Sequence, residues 1–165
     1  MGNSAERLIK LLRERSLFLA AAESCTAGML GSMLGEIPGA SACFWGSFVC
    51  YTPQAKIAML GMGEEILVKY GLVSEETARA MALGALKKSG AHAAVSITGL
   101  AGPGGDGSPV PVGTVWIGTA LWSGKVQAMQ FHFDGPRHRI RLKAAGEALE
   151  QISKQLLEEP VSKPG

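Results

Sequence analysis

The order of short strand-like runs and helical segments constrains this chain most. Leu17–Ala22 is apolar, Phe44–Tyr51 is aromatic and β-rich, and Ala93–Thr98 is again apolar. Each is too short for a core helix, so each predicts a strand. The segments between them carry helical spacing. Ala5–Arg15 sets Leu8, Ile9, Leu11 and Leu12 on one face, with Asn3 or Ser4 as N-cap. Small and apolar residues alternate over Ala27–Gly35, a helix starting near Thr26. Pro53 opens a short helix through Leu60, and Glu64–Tyr70 gives another. Ser74 caps a longer one that runs to Ser89 and closes at Gly90. Val112–Leu121 and Val126–Phe133, joined at Ser123-Gly124, read as a hairpin. Gly135-Pro136 then opens a last helix to about Leu157, with Ile140, Ala144, Ala148 and Ile152 along one face. The alternation predicts a three-layer α/β/α sandwich on a mixed, mostly parallel sheet.

A length of 165 residues suits one domain, read as residues 1–158 with a tail at 159–165. With 47% hydrophobic and 18% charged residues the chain can bury a sizeable core. The net charge of +2 is spread along the sequence, which argues against a nucleic-acid surface. Cys25, Cys43 and Cys50 are odd in number and form no CxxC pair, against a disulfide framework or a zinc knuckle. There is no HxxxH and the carboxylates are scattered, so no metal is expected. No apolar run approaches the ~20 residues of a bilayer span. The first sixteen residues are charged and helical rather than signal-like, and the cytoplasm is the expected location.

In such sheets ligands bind where loops open beyond the strand ends. Two loops qualify. At Glu23-Ser24-Cys25-Thr26 a strand turns into a helix, whose N-terminus offers unpaired N–H groups to an anion or an oxyanion. Ser24 or Thr26 reads there either as a helix cap or as a nucleophile, and Cys25 is a further candidate nucleophile. The second loop, Gly99-Leu100-Ala101-Gly102-Pro103-Gly104-Gly105, is a phosphate nest or a plain connector; it matches neither the Walker pattern nor GxGxxG. A serine needs a base, and His92, His132 and His138 lie near none of these residues in sequence. Lys56 serves if burial lowers its pKa, with Tyr51 nearby to relay a proton; a solvated helix lysine is the plain alternative. Arg137, His138, Arg139 and Arg141 form the densest basic cluster, at the last helix's start, where cations oppose the dipole unless an anion is near.

Taken together, Ala22-Glu23-Ser24-Cys25-Thr26-Ala27-Gly28, Ile37-Pro38-Gly39-Ala40-Ser41, Phe48-Val49-Cys50-Tyr51-Thr52-Pro53-Gln54-Ala55-Lys56, Gly71-Leu72-Val73-Ser74-Glu75-Glu76, Ile97-Thr98-Gly99-Leu100-Ala101-Gly102-Pro103 and Pro111-Val112-Gly113-Thr114-Val115 resemble the CinA C-terminal-domain family, in order and spacing, from Ala5 to Ile152. The family's characterised enzymes are nicotinamide-nucleotide amidases. The resemblance implies an α/β/α fold, no cofactor, a homodimer, and hydrolysis of nicotinamide mononucleotide, a pyridine nucleotide, to nicotinic acid mononucleotide and ammonia in NAD recycling. It implies Ser24 and Lys56 as the catalytic pair with Tyr51 beside them. Thr26, Ser41, Thr98, Gly99 and Gly102 then surround the substrate, and Arg137 and Arg141 meet its phosphate. Ser41 stands as the alternative nucleophile.

The chain departs from the family pattern in three places. Trp45-Gly46 replaces a Glu-Arg pair, Cys50 replaces a common threonine, and Gly135-Pro136-Arg137-His138 replaces Gly-Asp-Arg-Asp. These departures motivate a rival reading, a catalytically inactive pyridine-nucleotide-binding module of the same fold. Another small-molecule amidase or esterase is the third. Many relatives carry an additional N-terminal domain related to molybdopterin-binding proteins; with about twenty residues before Ser24, that domain and its pyrophosphatase activity are expected to be absent.

Overall fold

The computed structural model describes residues 2–160, with side chains from Ser4 onward. Residues 161–165 of the expected tail, and the side chain of Asn3, lie outside the described residues. The elements are α1 (Gly2–Glu14), β1 (Leu19–Glu23), α2 (Met29–Gly35), a 3-10 turn (Ala40–Ala42), β2 (Phe44–Val49), α3 (Pro53–Leu60), α4 (Glu64–Tyr70), α5 (Glu75–Ser89), β3 (Ala93–Gly99), β4 (Thr114–Leu121), β5 (Val126–His132) and α6 (Arg137–Glu158).

The five strands form one sheet in the order β2-β1-β3-β4-β5. The pairings of β1 with β2 and β3 are parallel, and those of β4 with β3 and β5 are antiparallel. Four strands therefore run one way and β4 alone opposes them, which is the mixed, mostly parallel sheet expected. The return from β4 to β5 needs only a tight turn: Gly124 takes φ 90° and its N–H donates to the Leu121 carbonyl at 3.0 Å.

Alternating side chains of the buried strands feed two cores. Leu19, Ala21, Val95 and Ile97 pack with Leu8, Leu12, Leu30, Leu34, Ala144 and Ile152 of α1, α2 and α6. Ala22 and Ala94 pack on the opposite face with Leu60, Met81 and Ala85. Close approach of α5 to β4 depends on Gly118, where a Cβ would lie 2.3 Å from the Ala78 carbonyl oxygen. Ser96 donates its hydroxyl to that same carbonyl at 2.6 Å.

Three boundaries differ from the sequence reading for local reasons. α1 begins at Gly2, ahead of both candidate caps, and the Ser4 hydroxyl bonds Glu150 of α6 instead. β2 stops at Val49, although the Cys50 N–H still donates to the Glu23 carbonyl at 2.9 Å. α2 starts at Met29 rather than near Thr26, because Ala27 (φ 47°) and Gly28 (φ 96°) are left-handed and hold a turn ahead of it. Ser74 caps α5 as expected, accepting from the Thr77 N–H at 3.1 Å, and Gly90 closes it.

Candidate active site

The β1 strand ends level with Val49 on β2 and Ile97 on β3. The Ser24 N–H donates to the Ile97 carbonyl at 3.0 Å, so the hydroxyl is fixed just beyond the sheet's carboxyl edge. Facing it is α3. Pro53 occupies the helix's first turn and Thr52 caps it, its hydroxyl oxygen accepting from the Ala55 N–H at 3.1 Å. That start aims Lys56 inward, and the side chain is 1% exposed. Lys56 Nζ lies 2.8 Å from Ser24 Oγ and donates to the Cys50 carbonyl at 3.1 Å. Burial holds its pKa below the usual 10.5, with only the neighbouring Cys50 and Cys25 acting against that. A neutral amine that donates one N–H to Cys50 keeps its lone pair for the Ser24 proton.

Glu23 was not singled out by the sequence reading. Its carboxylate is fully buried and, among the described residues, is held by five neutral donors and no cation. These are the Thr26 hydroxyl (2.7 Å), the N–H groups of Gly28 (3.0 Å), Leu30 (3.0 Å) and Gly31 (2.8 Å), and the Ser47 hydroxyl (2.7 Å). Donors of this number can keep a charge inside a protein. The signal in the sequence was an acid closing a buried strand immediately before a helix start, since such a carboxylate must find the helix amides. The expectation that the N-terminus of α2 is open to a bound anion is corrected by this arrangement: Glu23 already occupies it. Cys25 and Thr26, in the turn ahead of the helix, are the residues between Ser24 and Gly31 whose N–H groups have no partner among the described residues.

A cavity of about 190 Å³ opens over the pair, lined by Ser24, Cys25, Lys56 and Tyr51 on one side and by Leu72, Val73, Thr98 to Gly102, Gly104 to Asp106 and Arg137 on the other. Gly99 is required for close approach, because a Cβ there would lie 2.8 Å from the Thr114 carbonyl. Gly102, at φ 80°, lets the loop fold over and present its carbonyl to Arg137 Nη1 at 2.8 Å. Arg137 Nη2 donates to the Tyr51 hydroxyl at 2.8 Å, across the cavity mouth. The Thr98 hydroxyl donates to the Leu72 carbonyl at 2.7 Å and keeps its lone pairs for a ligand. A larger groove of about 490 Å³ between α1 and α6 offers no such chemistry: Ser153 there donates to Leu149 of its own helix at 2.7 Å.

Ser24, Lys56, Tyr51, Thr98, Gly99, Gly102 and Arg137 are thus gathered around one space, from segments up to 113 residues apart in sequence. Three expected site residues are not. The Thr26 hydroxyl is fully buried and given to Glu23. Ser41 is exposed on the 3-10 turn before β2, at the strand end opposite to Tyr51. Arg141 donates from Nε to the Cys25 carbonyl (2.8 Å) and from Nη2 to the Thr26 carbonyl (2.9 Å), outside the cavity lining. The Cys25 thiol lines the cavity, but burial pushes its pKa up to about 11, against its use as a thiolate. Among the described residues no group of His, Cys, Asp and Glu is placed to hold a metal, and no helix is long and apolar enough to cross a membrane.

Fold and site together define an α/β protein with a buried serine–lysine pair under a glycine-rich loop. Residues 2–156 match the CinA C-terminal domain, and the chain belongs to that family. It is 40% identical over 146 residues to the nicotinamide-nucleotide amidohydrolase PncC of Enterobacter agglomerans, covering 88% of this chain and 89% of that protein. It is 44% identical over 157 residues to a CinA-like protein of Chlorobaculum tepidum, covering 93% of this chain but only 37% of the relative's length. The crystal structure of the competence/damage inducible protein CihA from Agrobacterium tumefaciens superposes with a TM-score of 0.90 at 41% identity, over 95% of both chains.

Proposed function

We infer that the chain is an amidase that hydrolyses nicotinamide mononucleotide to nicotinic acid mononucleotide and ammonia through an acyl-enzyme. The observation that carries this reading is the 2.8 Å approach of a buried, pKa-lowered lysine amine to a serine hydroxyl inside a cavity. The similarity to PncC, which spans nearly the full length of both chains, supports the substrate.

In the first half-reaction neutral Lys56 takes the Ser24 proton as Oγ bonds to the carboxamide carbon. The carbonyl oxygen gains the negative charge and is received by the N–H group of Cys25, a kind of donor worth about 3–4 kcal/mol in comparable sites. Collapse breaks the C–N bond, and the amide nitrogen leaves as ammonia with the proton carried by Lys56. Tyr51 can assist, because its oxygen accepts from Arg137 and its own O–H remains free to donate. In the second half-reaction Lys56 deprotonates water, which attacks the ester carbon; Ser24 leaves with the proton and the free acid is released. Arg137, already at the mouth with a planar fork, is placed to meet the nucleotide's phosphate.

The test is ammonia release by the purified, metal-stripped chain given the mononucleotide, followed as nicotinic acid mononucleotide by chromatography. Thermal stabilisation by the mononucleotide without any product would instead make the chain a binding module. Equal turnover of nicotinamide, its riboside and its mononucleotide would make it a less selective amidase. We further propose a homodimer in the cytoplasm with no tightly bound cofactor. Sedimentation of the full chain tests the dimer.

A further inference from the structure

Arg141 sits one helical turn after Arg137, yet its guanidinium turns toward the backbone that follows Ser24. Nε holds the Cys25 carbonyl at 2.8 Å and Nη2 the Thr26 carbonyl at 2.9 Å. Each other peptide plane of the turn also has a fixed partner. The Glu23 carbonyl takes the Cys50 N–H and the Ser24 N–H goes to Ile97. The Ser24 carbonyl takes the Ala27 N–H at 3.0 Å, and Glu23 collects the amides that open α2. Among the described residues the N–H groups of Cys25 and Thr26 are left without a partner, and of the two only Cys25 lines the cavity.

A trans peptide sets its C=O and N–H on opposite sides. The Ala27–Ser24 turn bond therefore fixes the direction of the Cys25 N–H, and a guanidinium that grips the carbonyls of Cys25 and Thr26 holds that turn in place. Resting on the serine-hydrolase reading above, we propose that Arg141 is a positioning residue, not a phosphate ligand: it holds the turn that presents the Cys25 N–H as an oxyanion donor for acyl transfer at Ser24. The planar fork is needed because two carbonyls one residue apart are held at once; a lysine carries charge to only one point.

The test uses the full chain with Arg141→Lys and Arg141→Gln, and a fluorophosphonate probe, which needs no natural substrate. Ser24 Oγ bonds to phosphorus, the P–F bond breaks, fluoride departs, and the serine proton passes to Lys56; the adduct is read by intact mass, with Ser24→Ala as the unlabelled control. Arg141→Lys is expected to slow labelling of Ser24 at least tenfold and to lower kcat for the mononucleotide by about 10–100-fold with little change in KM, less than the roughly 100–1000-fold lost when an oxyanion donor is removed outright, because the donor stays but is no longer held. Arg141→Gln, which offers a single uncharged NH2 in place of two separate nitrogens, is expected to fall at least as far, and serves if the lysine variant fails to fold. Labelling at the wild-type rate per folded molecule in either variant overturns the proposal. So does a loss confined to KM for phosphate-bearing substrate. A wild-type Ser24 that resists the probe overturns it together with the assignment of the nucleophile. Slower labelling in the variants of a protein that releases no ammonia from the mononucleotide upholds the positioning role and ends only the substrate reading.

Discussion

Arg137 donates to the Tyr51 hydroxyl at 2.8 Å while holding the Gly102 carbonyl at the same distance, so one guanidinium ties the loop after β2 to the glycine loop after β3. Both partners of this fork border the cavity above Ser24. An anionic substrate entering there meets a cation that is already oriented.

Arg137→Ala is therefore expected to raise KM for the mononucleotide by about 10–100-fold, corresponding to ~1.4–2.8 kcal/mol of lost binding. The riboside, which lacks the phosphate, is expected to change little. Steady-state kinetics with both substrates checks this, and a parallel loss for the two would remove Arg137 from phosphate recognition.

Ser24→Ala and Lys56→Ala are each expected to lower turnover by about 10³-fold or more, since members of such a unit fail together. Cys25→Ala is expected to keep most of the activity, because the Cys25 thiol titrates near 11 and stays protonated at neutral pH. Product formation by the three purified variants decides it. Activity retained in Lys56→Ala would assign the base elsewhere.

Lys56 also sets a pH dependence. Its folded pKa lies below 10.5, so activity is expected to rise as pH climbs through that lowered value and the amine becomes neutral. Stability follows the same direction. Between the lowered pKa and 10.5 the unfolded chain binds the proton that the folded chain does not, so unfolding free energy grows with pH across that window. Urea unfolding at several pH values, compared with Lys56→Met, checks the slope; the variant is expected to lose this contribution.

Glu23→Ala is expected to destabilise the fold by about 3–5 kcal/mol, because it strands the buried Thr26 hydroxyl and Leu30 N–H and releases three part-buried donors. The lost carboxylate also frees Gly28, Leu30 and Gly31, so α2 is expected to loosen first. Chemical denaturation gives the energy, and amide hydrogen exchange at those residues locates it. Full protection of the three amides in the variant would contradict the role of Glu23 as their anchor.

Gly118→Ala tests the packing that supports the site from below. A methyl 2.3 Å from the Ala78 carbonyl forces α5 off the sheet, and a cost of about 1–3 kcal/mol is expected. A thermal shift measurement suffices.

Local chemistry in the sequence determined the elements and most of the fold. Pro53 after Thr52, Ser74 ahead of two glutamates, and Gly90 after Ser89 mark helix ends because caps and breakers act within a few residues. The short apolar runs and the Ser123-Gly124 turn likewise told of buried strands and a reversed last pair, since burial and turn geometry are written at periods of two to four. The residues gathered over Ser24 were legible through their motifs alone; nothing in the spacing of Ser24 and Lys56 says that β1 and α3 meet. Only the tertiary structure decided that Lys56 loses its solvent, that Glu23 fills the start of α2, and that Arg141 grips a turn while Arg137 faces the cavity. Those outcomes depend on which groups water can still reach once the layers close, and desolvation is a property of the packed whole rather than of any segment.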